Sequence, residues 1–175
     1  CTSFFPSKNL GCYGDGGAIF TNDDDLAAKM RARANHGMVV RYHHEYVGVN
    51  SRLDSIQAAV LEAKLPHLNE YIAARQQAAA FYDQAFGRNP HLLIPAHEKQ
   101  STHVFHQYTL RLMNIDRDAL RTALAEKGIP TMIYYPIPLH MQKAYHDSRY
   151  REGDFPIAEQ LAKCVLSLPM HTELD

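Results

Sequence analysis

The sequence changes its pattern at the Gly-Arg-Asn-Pro turn of residues 87–90. Before this turn, apolar residues recur at helical spacing in two consecutive stretches, one capped by Asp54 and the next running from His67 to Phe86. After it, the run at residues 106–112 alternates apolar and polar side chains, which is typical of a strand. A helix pair before such a turn and a strand pattern after it predict an α/β protein in two parts.

The N-terminal part begins with a short β-favouring run at residues 16–21. The acidic and amide side chains of Asn22–Asp25 then predict the start of a helix over Leu26–Ala34. Gly37 is suited to the left-handed position that ends a helix. Residues 38–53 hold no period and are expected to form a long loop or a short hairpin, a feature that is often functional.

The C-terminal part predicts a β-α-β unit. Asp116 or Asp118 can begin a helix that Gly128 closes, and Pro130–Tyr134 is then expected to return as a strand. A last helix is predicted over residues 157–164.

Charge and cysteine content exclude several classes of function. Eighteen basic and nineteen acidic residues among 175 leave a formal net charge of -1, which does not favour nucleic acid or an acidic membrane. No apolar run is long enough to cross a bilayer, and nothing at the start resembles a secretory signal. Three widely spaced cysteines make a poor disulfide framework and favour the cytoplasm.

Both ends look cut, so a fragment of a longer chain is expected.

Lys8 lies between an aromatic-proline turn and a glycine-rich segment. A lysine that apolar neighbours shield from water has a lowered pKa, and its neutral amine can attack a carbonyl. The alternative is that Lys8 is an ordinary solvated side chain, as most lysines are.

The glycines at positions 11, 14, 16 and 17 fit neither common nucleotide motif. No Lys-Ser or Lys-Thr follows the last of them, as a P-loop requires, and no predicted strand precedes them, as a dinucleotide fingerprint requires. A tight turn into the following strand explains them without any ligand. Nucleotide binding in the absence of another cofactor remains an alternative.

Taken in order along the chain, several motifs resemble those of the DegT/DnrJ/StrS family of sugar aminotransferases. They are Ser3–Gly11 with Gly14–Ala18, His36-Gly37, Gly48–Asp54 with Gln57–Ala59, His106–Tyr108, Tyr135–His140 and Leu166–Met170. Motifs spread over nearly the whole chain and in register make the resemblance specific.

The resemblance implies a fold-type I enzyme, similar to aspartate aminotransferase, that depends on pyridoxal 5′-phosphate (PLP). Lys8 would bind the cofactor covalently and then move a proton during transamination, and Ser3 would donate a hydrogen bond to its phosphate. Related proteins with histidine at the lysine position act as dehydratases, so Lys8 favours an aminotransferase.

By the same resemblance, Asn50 would reach across a homodimer interface to the phosphate of the partner's cofactor. Arg52 would bind a carboxylate of glutamate or of a sugar acid, because a guanidinium offers paired donors. Without the family match, residues 50–52 would be no more than the turn before a helix capped by Asp54.

Tyr134, Tyr135 and His140 would approach the nucleotide-linked sugar, since aromatic rings stack on bases and sugars. The alternative for such tyrosines is packing at a strand end. The run His43-His44-Glu45 is interpreted as loop rather than as a metal site, because adjacent side chains point apart and no spaced partner set accompanies it.

The predicted organisation has three segments. Residues 1–65 are the end of the cofactor-binding large domain, 66–87 an interdomain helix, and 88–175 a small C-terminal α/β domain. The expected function is transfer of an amino group, from glutamate as the expected donor, to a keto group of a nucleotide-linked sugar. Residues 47–54 resemble members that act at the sugar 3-position in surface-polysaccharide or deoxyaminosugar biosynthesis, which implies a UDP-linked uronic acid as the acceptor. The rival hypothesis is a catalytically inert module that serves only dimerisation or binding.

Overall fold

The computed structural model describes residues 1–174, which form two compact units. The first unit is Cys1–Asn69 and the second begins at Glu70. The division falls inside a long helix, ahead of the 87–90 turn. Whether the segment 66–87 acts as an interdomain helix stays a prediction.

The first unit contains two antiparallel strand pairs and two helices. Strands β1 (Thr2–Ser3) and β2 (Gly17–Ala18) form one pair. Strands β3 (Met38–Val40) and β4 (His43–His44) form the other. Of the two alternatives for this region, a long loop or a short hairpin, its first part is therefore a hairpin. The helices are α1 (Asp24–Ala34) and α2 (Ser55–Lys64).

Helix α1 begins and ends where its sequence indicates. The side chain of Asp23 accepts a hydrogen bond of 2.9 Å from the Leu26 N–H, which satisfies one of the free donors of the first turn. The helix ends at a backbone reversal in which His36 and Gly37 both have positive φ, 60° and 76°.

Two predictions for this unit are corrected. The strand expected over residues 16–21 is limited to Gly17–Ala18, because its partner β1 is only two residues long. Asp54 does occupy the N-cap position of α2, but its side chain makes no capping hydrogen bond.

Residues 65–86 continue from α2 through a 3₁₀ turn, Leu65–His67, into the long helix α3 (Leu68–Phe86). Pro66 lies within the 3₁₀ turn, where its missing N–H costs little. The predicted helix therefore begins one residue later than His67.

The second unit is built on a three-stranded antiparallel sheet in the order β5-β6-β7. The strands are β5 (Leu92–Leu93), β6 (Tyr108–Leu112) and β7 (Val165–Leu168). Helix α4 (Arg117–Glu126) follows β6, and α5 (Pro156–Cys164) leads directly into β7.

The predicted strand over Pro130–Tyr134 is wrong as a full strand. Only Met132 pairs with the sheet, through two hydrogen bonds to Ser167 of β7. Since Met132 and β6 both run antiparallel to β7, they are parallel to each other, and β7 lies between them. The β-α-β unit is thus split by the last strand of the chain, which no local pattern indicates. Proline at 130 and 136 also limits pairing, because it lacks a backbone N–H.

The core of the second unit forms where α3 packs against the sheet. Its buried members are Ala79, Phe105, Tyr108, Leu110, Leu112 and Leu166. Within residues 1–174, no helix combines the length and apolar character needed to cross a membrane.

Candidate functional site

Lys8 lies in a loop that backbone hydrogen bonds close at several points. Phe4 N–H donates to Gly16 O at 2.8 Å, Lys8 N–H to Phe5 O at 2.9 Å and Cys12 N–H to Phe4 O at 2.9 Å. The Lys8 side chain is half-buried, and no group among residues 1–174 hydrogen-bonds or ion-pairs with its amine. The backbone of the loop is therefore fixed while the amine remains available for reaction.

Gly11 and Cys12 close the far side of this loop. A Cβ at Gly11 would lie 2.5 Å from Pro6 O, so only glycine fits there. The thiol of Cys12 is fully buried and donates to Phe4 O at 3.0 Å and Gly14 O at 3.1 Å. Close backbone packing accounts for this glycine, as the tight-turn interpretation expects.

Helix α2 contacts the same segment through two side chains that the sequence reasoning missed. Lys64 Nζ donates a 2.8 Å hydrogen bond to Gly11 O, and Gln57 Oε1 accepts one of 2.8 Å from Tyr13 N–H. Gln57 and Lys64 are seven residues apart and so share one face of the helix. That spacing is the only local signal for the pair, since the apolar pattern of α2 does not include them and the family-like motif names Gln57 without a role.

Ser3 ends β1 and lies five residues before Lys8. Its hydroxyl oxygen accepts a 3.3 Å hydrogen bond from Phe5 N–H, and the side chain is exposed. The hydroxyl proton remains available for an acceptor outside residues 1–174.

Asn50 and Arg52 lie on a segment that runs beside the C-terminal end of α1. Val49 N–H and Ser51 N–H donate to Arg33 O and Ala34 O at 2.8 and 2.9 Å. Arg52 Nη1 donates to Asn35 Oδ1 at 3.2 Å, and the side chains of both predicted site residues are exposed. No hydrogen bond within residues 1–174 joins either of them to Lys8.

Arg52 lines a cavity of about 1120 Å³ that β2 and α1 bound on other sides. Arg31 and Asn35 contribute polar groups to it, and Ile19 and Phe20 contribute apolar surface. Lys8 is not among its lining residues, so this cavity and the lysine loop are separate features of the first unit.

Tyr134 and Tyr135 lie in the second unit with their ring centroids 5.5 Å apart and nearly perpendicular. They line a cavity of about 610 Å³ together with Thr109, Pro138 and Leu161. Tyr135 is 71% exposed, which leaves its ring free for contact with a ligand.

His140 is placed differently from an exposed substrate contact. Its side chain is 9% exposed, and its Nε2 lies 3.0 Å from Oε1 of Glu159, which is 11% exposed. Glu159 also accepts hydrogen bonds from the N–H groups of Gly153 (2.9 Å) and Phe155 (3.3 Å). Burial alone would raise the pKa of the Glu159 carboxyl, but the bonds from Gly153, His140 and Phe155 together hold it below its ordinary value.

Glu159 is a second residue that sequence reasoning missed. Its carboxylate reaches back to the N–H of Phe155, the N-cap of α5, much as the acidic half of a capping box does. The hydroxyl half of that motif is absent, because the N-cap is phenylalanine, so the usual pattern could not find it.

The run His43-His44-Glu45 lies in the β3–β4 hairpin and just after it. His44 Nδ1 donates to His36 O at 2.9 Å, which commits that nitrogen to the backbone. No group of three His, Cys, Asp or Glu side chains within residues 1–174 is arranged to hold a metal ion.

The whole chain, residues 1–175, matches the DegT/DnrJ/EryC1/StrS aminotransferase family. A pleiotropic regulatory protein of Geobacillus stearothermophilus is 49% identical over 98% of this chain and 46% of its own length. The UDP-2-acetamido-2-deoxy-3-oxo-D-glucuronate aminotransferase of Pseudomonas aeruginosa is 50% identical over 100% of this chain and 47% of its own length. The chain thus spans about half the length of the curated relatives it matches.

Solved structures give the same fold. Streptomyces venezuelae DesV, crystallised with a ketimine intermediate, superposes with a TM-score of 0.92 at 42% identity. The match covers 99% of this chain and 46% of DesV. These comparisons confirm the predicted fold class, the α/β fold of the fold-type I PLP-dependent transferases, represented here by a C-terminal portion.

Proposed function

The chain belongs to the DegT/DnrJ/EryC1/StrS aminotransferase family, and from this we propose that it is the C-terminal part of a nucleotide-sugar aminotransferase. The enzyme transfers an amino group from an amino acid to a keto group on the sugar. Aminotransferases of this family depend on PLP. The observation that carries the proposal is the uncommitted amine of Lys8 within a closed loop.

The residues of the first unit fit this cofactor. The Lys8 amine has no competing partner and can bond to an aldehyde carbon, and the exposed Ser3 hydroxyl can donate to a phosphate. When bound, the cofactor supplies a ring that delocalises the charge left when the substrate's α-carbon loses a proton. Once the amino group of the substrate has displaced Lys8 from the cofactor, the freed Lys8 amine would be the group of this chain that accepts and returns that proton.

We assign Asn50 to the active site of a second copy in a homodimer. Its side chain is exposed on a segment that backbone hydrogen bonds hold at the end of α1, so it is presented at a fixed place. Mixing two full-length variants, Lys8→Ala and Asn50→Asp, tests the assignment. One site of each mixed dimer then has both native residues, so random exchange of the two inactive variants should restore about a quarter of the native activity per total protein, and the purified mixed dimer about half. Absence of recovery, with dimer exchange demonstrated by labelled subunits, contradicts a shared site.

Four residues are proposed for the substrates: Arg52 for a carboxylate, and Tyr134, Tyr135 and His140 for the sugar nucleotide. The 50% identity to an enzyme named for a UDP-linked 3-oxo-glucuronate supports a UDP-linked 3-keto sugar acid as acceptor. Because His140 is buried, its proposed role is indirect. It holds in place the loop that its contact with Glu159 joins to α5. All three cysteines are free, which supports a cytoplasmic location.

Reductive trapping on the full-length protein tests the central proposal. PLP is added, the adduct is reduced with borohydride, and the modified peptide is located by mass spectrometry. The adduct should form at Lys8 and disappear in Lys8→Ala, while Lys29→Ala, which removes an exposed lysine of α1, should leave it unchanged. An adduct at another lysine, or none, contradicts the assignment.

A further inference from the structure

We propose that Gln57 and Lys64 are positioning residues that hold the Lys8 loop in its reactive shape from one face of helix α2. The inference rests on the proposed function, since it concerns how the lysine that takes the cofactor is held. The two side chains hydrogen-bond to Tyr13 and Gly11 rather than to Lys8 itself.

The two side chains hydrogen-bond to the segment Gly11–Tyr13 from the same helix face. Lys64 Nζ donates to Gly11 O at 2.8 Å and also lies 4.8 Å from the centre of the Tyr13 ring, a cation–π distance. Gln57 Oε1 accepts from Tyr13 N–H at 2.8 Å. One residue therefore satisfies a carbonyl and the other an N–H of adjacent backbone.

The segment Gly11–Tyr13 also closes the Lys8 loop. Gly11 is buried, so its carbonyl would lose a hydrogen bond without gaining water if Lys64 were removed. Cys12, between Gly11 and Tyr13, bonds to Phe4 O through both its N–H and its thiol. A shift of residues 11–13 would therefore open the loop that contains Lys8.

The choice of residue types supports positioning rather than simple packing. An apolar side chain at 64 would fill the same space but leave Gly11 O unsatisfied, and an apolar side chain at 57 would do the same for Tyr13 N–H. Both side chains contact the loop through polar atoms, and α2 contributes Leu61 as its buried apolar residue. The helix is thus anchored by one residue and orients the loop with two others.

The experiment uses the full-length protein and two pairs of variants. Lys64→Met and Gln57→Leu remove the hydrogen-bonding groups, whereas Lys64→Arg keeps a donor and Gln57→Glu keeps an acceptor. Lys29→Met on α1 is the matched control for loss of an exposed lysine. Hydrogen exchange of the peptides covering residues 4–14 is measured without cofactor, and the PLP dissociation constant is measured by titration.

We expect Lys64→Met and Gln57→Leu each to speed exchange in residues 4–14 by about tenfold, as expected for loss of one buried hydrogen bond. PLP binding should weaken by no more than the same factor, because affinity falls only as the closed form of the loop is depopulated. Lys64→Arg and Gln57→Glu should recover most of both. Exchange in α1 should stay at its native rate, and the free energy of unfolding should fall by no more than the loss of one hydrogen bond accounts for. The free-energy change in the double variant should be smaller than the sum of the two single changes, because both side chains act on the same segment.

Two results overturn the inference: native exchange in residues 4–14 when either group is removed, or equal acceleration across the whole protein. The outcome is separate from that of the proposed function. If no PLP adduct forms at Lys8 in the native protein, the function fails, yet the exchange data still decide whether Gln57 and Lys64 order the loop.

Discussion

The phenol hydroxyl of Tyr108 donates a 2.7 Å hydrogen bond to Oδ1 of Asp83. Tyr108 is fully buried on β6 and Asp83 belongs to α3, so this bond joins the sheet to the long helix. His97 Nε2 donates to the other carboxylate oxygen at 2.8 Å. Burial, and then the contact with Asp83, raise the pKa of the Tyr108 phenol above its ordinary value of 10.0.

Tyr108→Phe should lower the free energy of unfolding at neutral pH by about 1–3 kcal/mol, because the Asp83 carboxylate loses a donor. The folded protein holds the phenol proton more tightly than the unfolded chain. The contribution is therefore complete below pH 10.0 and is lost as the pH rises through the raised folded pKa. Urea unfolding at neutral and at alkaline pH measures this, with the exposed Tyr145→Phe as control. A difference between native and variant that is unchanged at high pH contradicts the argument.

Arg75 of α3 is buried, and its Nη1 donates to the carbonyls of Phe105, His106 and Met170 at 3.2, 3.3 and 3.0 Å. Burial lowers the pKa of its guanidinium. Arg75→Met should destabilise the protein by about 2–4 kcal/mol, since one buried and two part-buried carbonyls lose their donor. The exposed Arg111→Met of β6 provides the control for loss of an arginine in urea unfolding. Equal midpoints for the two variants would show that the carbonyl cluster does not need the guanidinium.

Gly37 and Gly128 have nearly the same positive φ, 76° and 75°, but different surroundings. A Cβ at Gly37 would overlap the carbonyl oxygen of Tyr46, whereas a Cβ at Gly128 would meet nothing within 4 Å. Gly128→Ala should cost about 1–2 kcal/mol, the strain of a left-handed alanine, and Gly37→Ala distinctly more, because backbone must also move. Thermal unfolding of both variants measures the difference. Similar losses would mean that the β3–β4 hairpin adjusts to the added methyl group.

Most helices could be predicted from the sequence because their signals are local. Asp23 and Gly37 bound α1, and Asp116 and Gly128 bound α4, by capping chemistry that needs only a few neighbouring residues. The insertion of β7 between β6 and Met132 could not be predicted, since it depends on pairing between residues far apart in the chain.

In the candidate site, too, local motifs could be predicted and contacts between distant segments could not. Lys8 stands out because its flanking motifs carry a family pattern. Gln57 belongs to one of the family-like motifs and Lys64 to none, but the role of both depends on contact between α2 and a loop more than forty residues earlier, which no motif reveals. The burial of His140 against Glu159 likewise follows from a loop that returns on itself.

Glu159→Gln should loosen the loop that ends at α5. The carboxylate accepts from Gly153 N–H and Phe155 N–H, and a neutral amide accepts more weakly, so exchange of these two amides should rise about tenfold at neutral pH. Because the folded pKa of Glu159 lies below its ordinary 4.5, the stabilisation is present above that value and is lost as the pH falls through the folded pKa. The difference between native and variant should therefore vanish in acid. The exposed Glu152→Gln is the control, and the same acceleration in it would remove Glu159 from the explanation.

Arg52→Lys should separate carboxylate recognition from cofactor binding in the full-length enzyme. Arg52 uses Nη1 to bond Asn35 Oδ1 at 3.2 Å, which orients the guanidinium and leaves its other donors for a planar carboxylate. Lysine keeps the charge but lacks paired donors, so KM for a sugar acid should rise about 10- to 100-fold, while PLP trapping at Lys8 stays native. Steady-state kinetics with a UDP-linked keto-uronic acid and its hydroxymethyl counterpart tests this, because only the acid should lose affinity.

The exposed Arg41→Lys controls for the exchange of one cation for another. A KM that rises for the amino donor instead would move Arg52 to the donor's carboxylate, and unchanged constants for every substrate would remove it from the site.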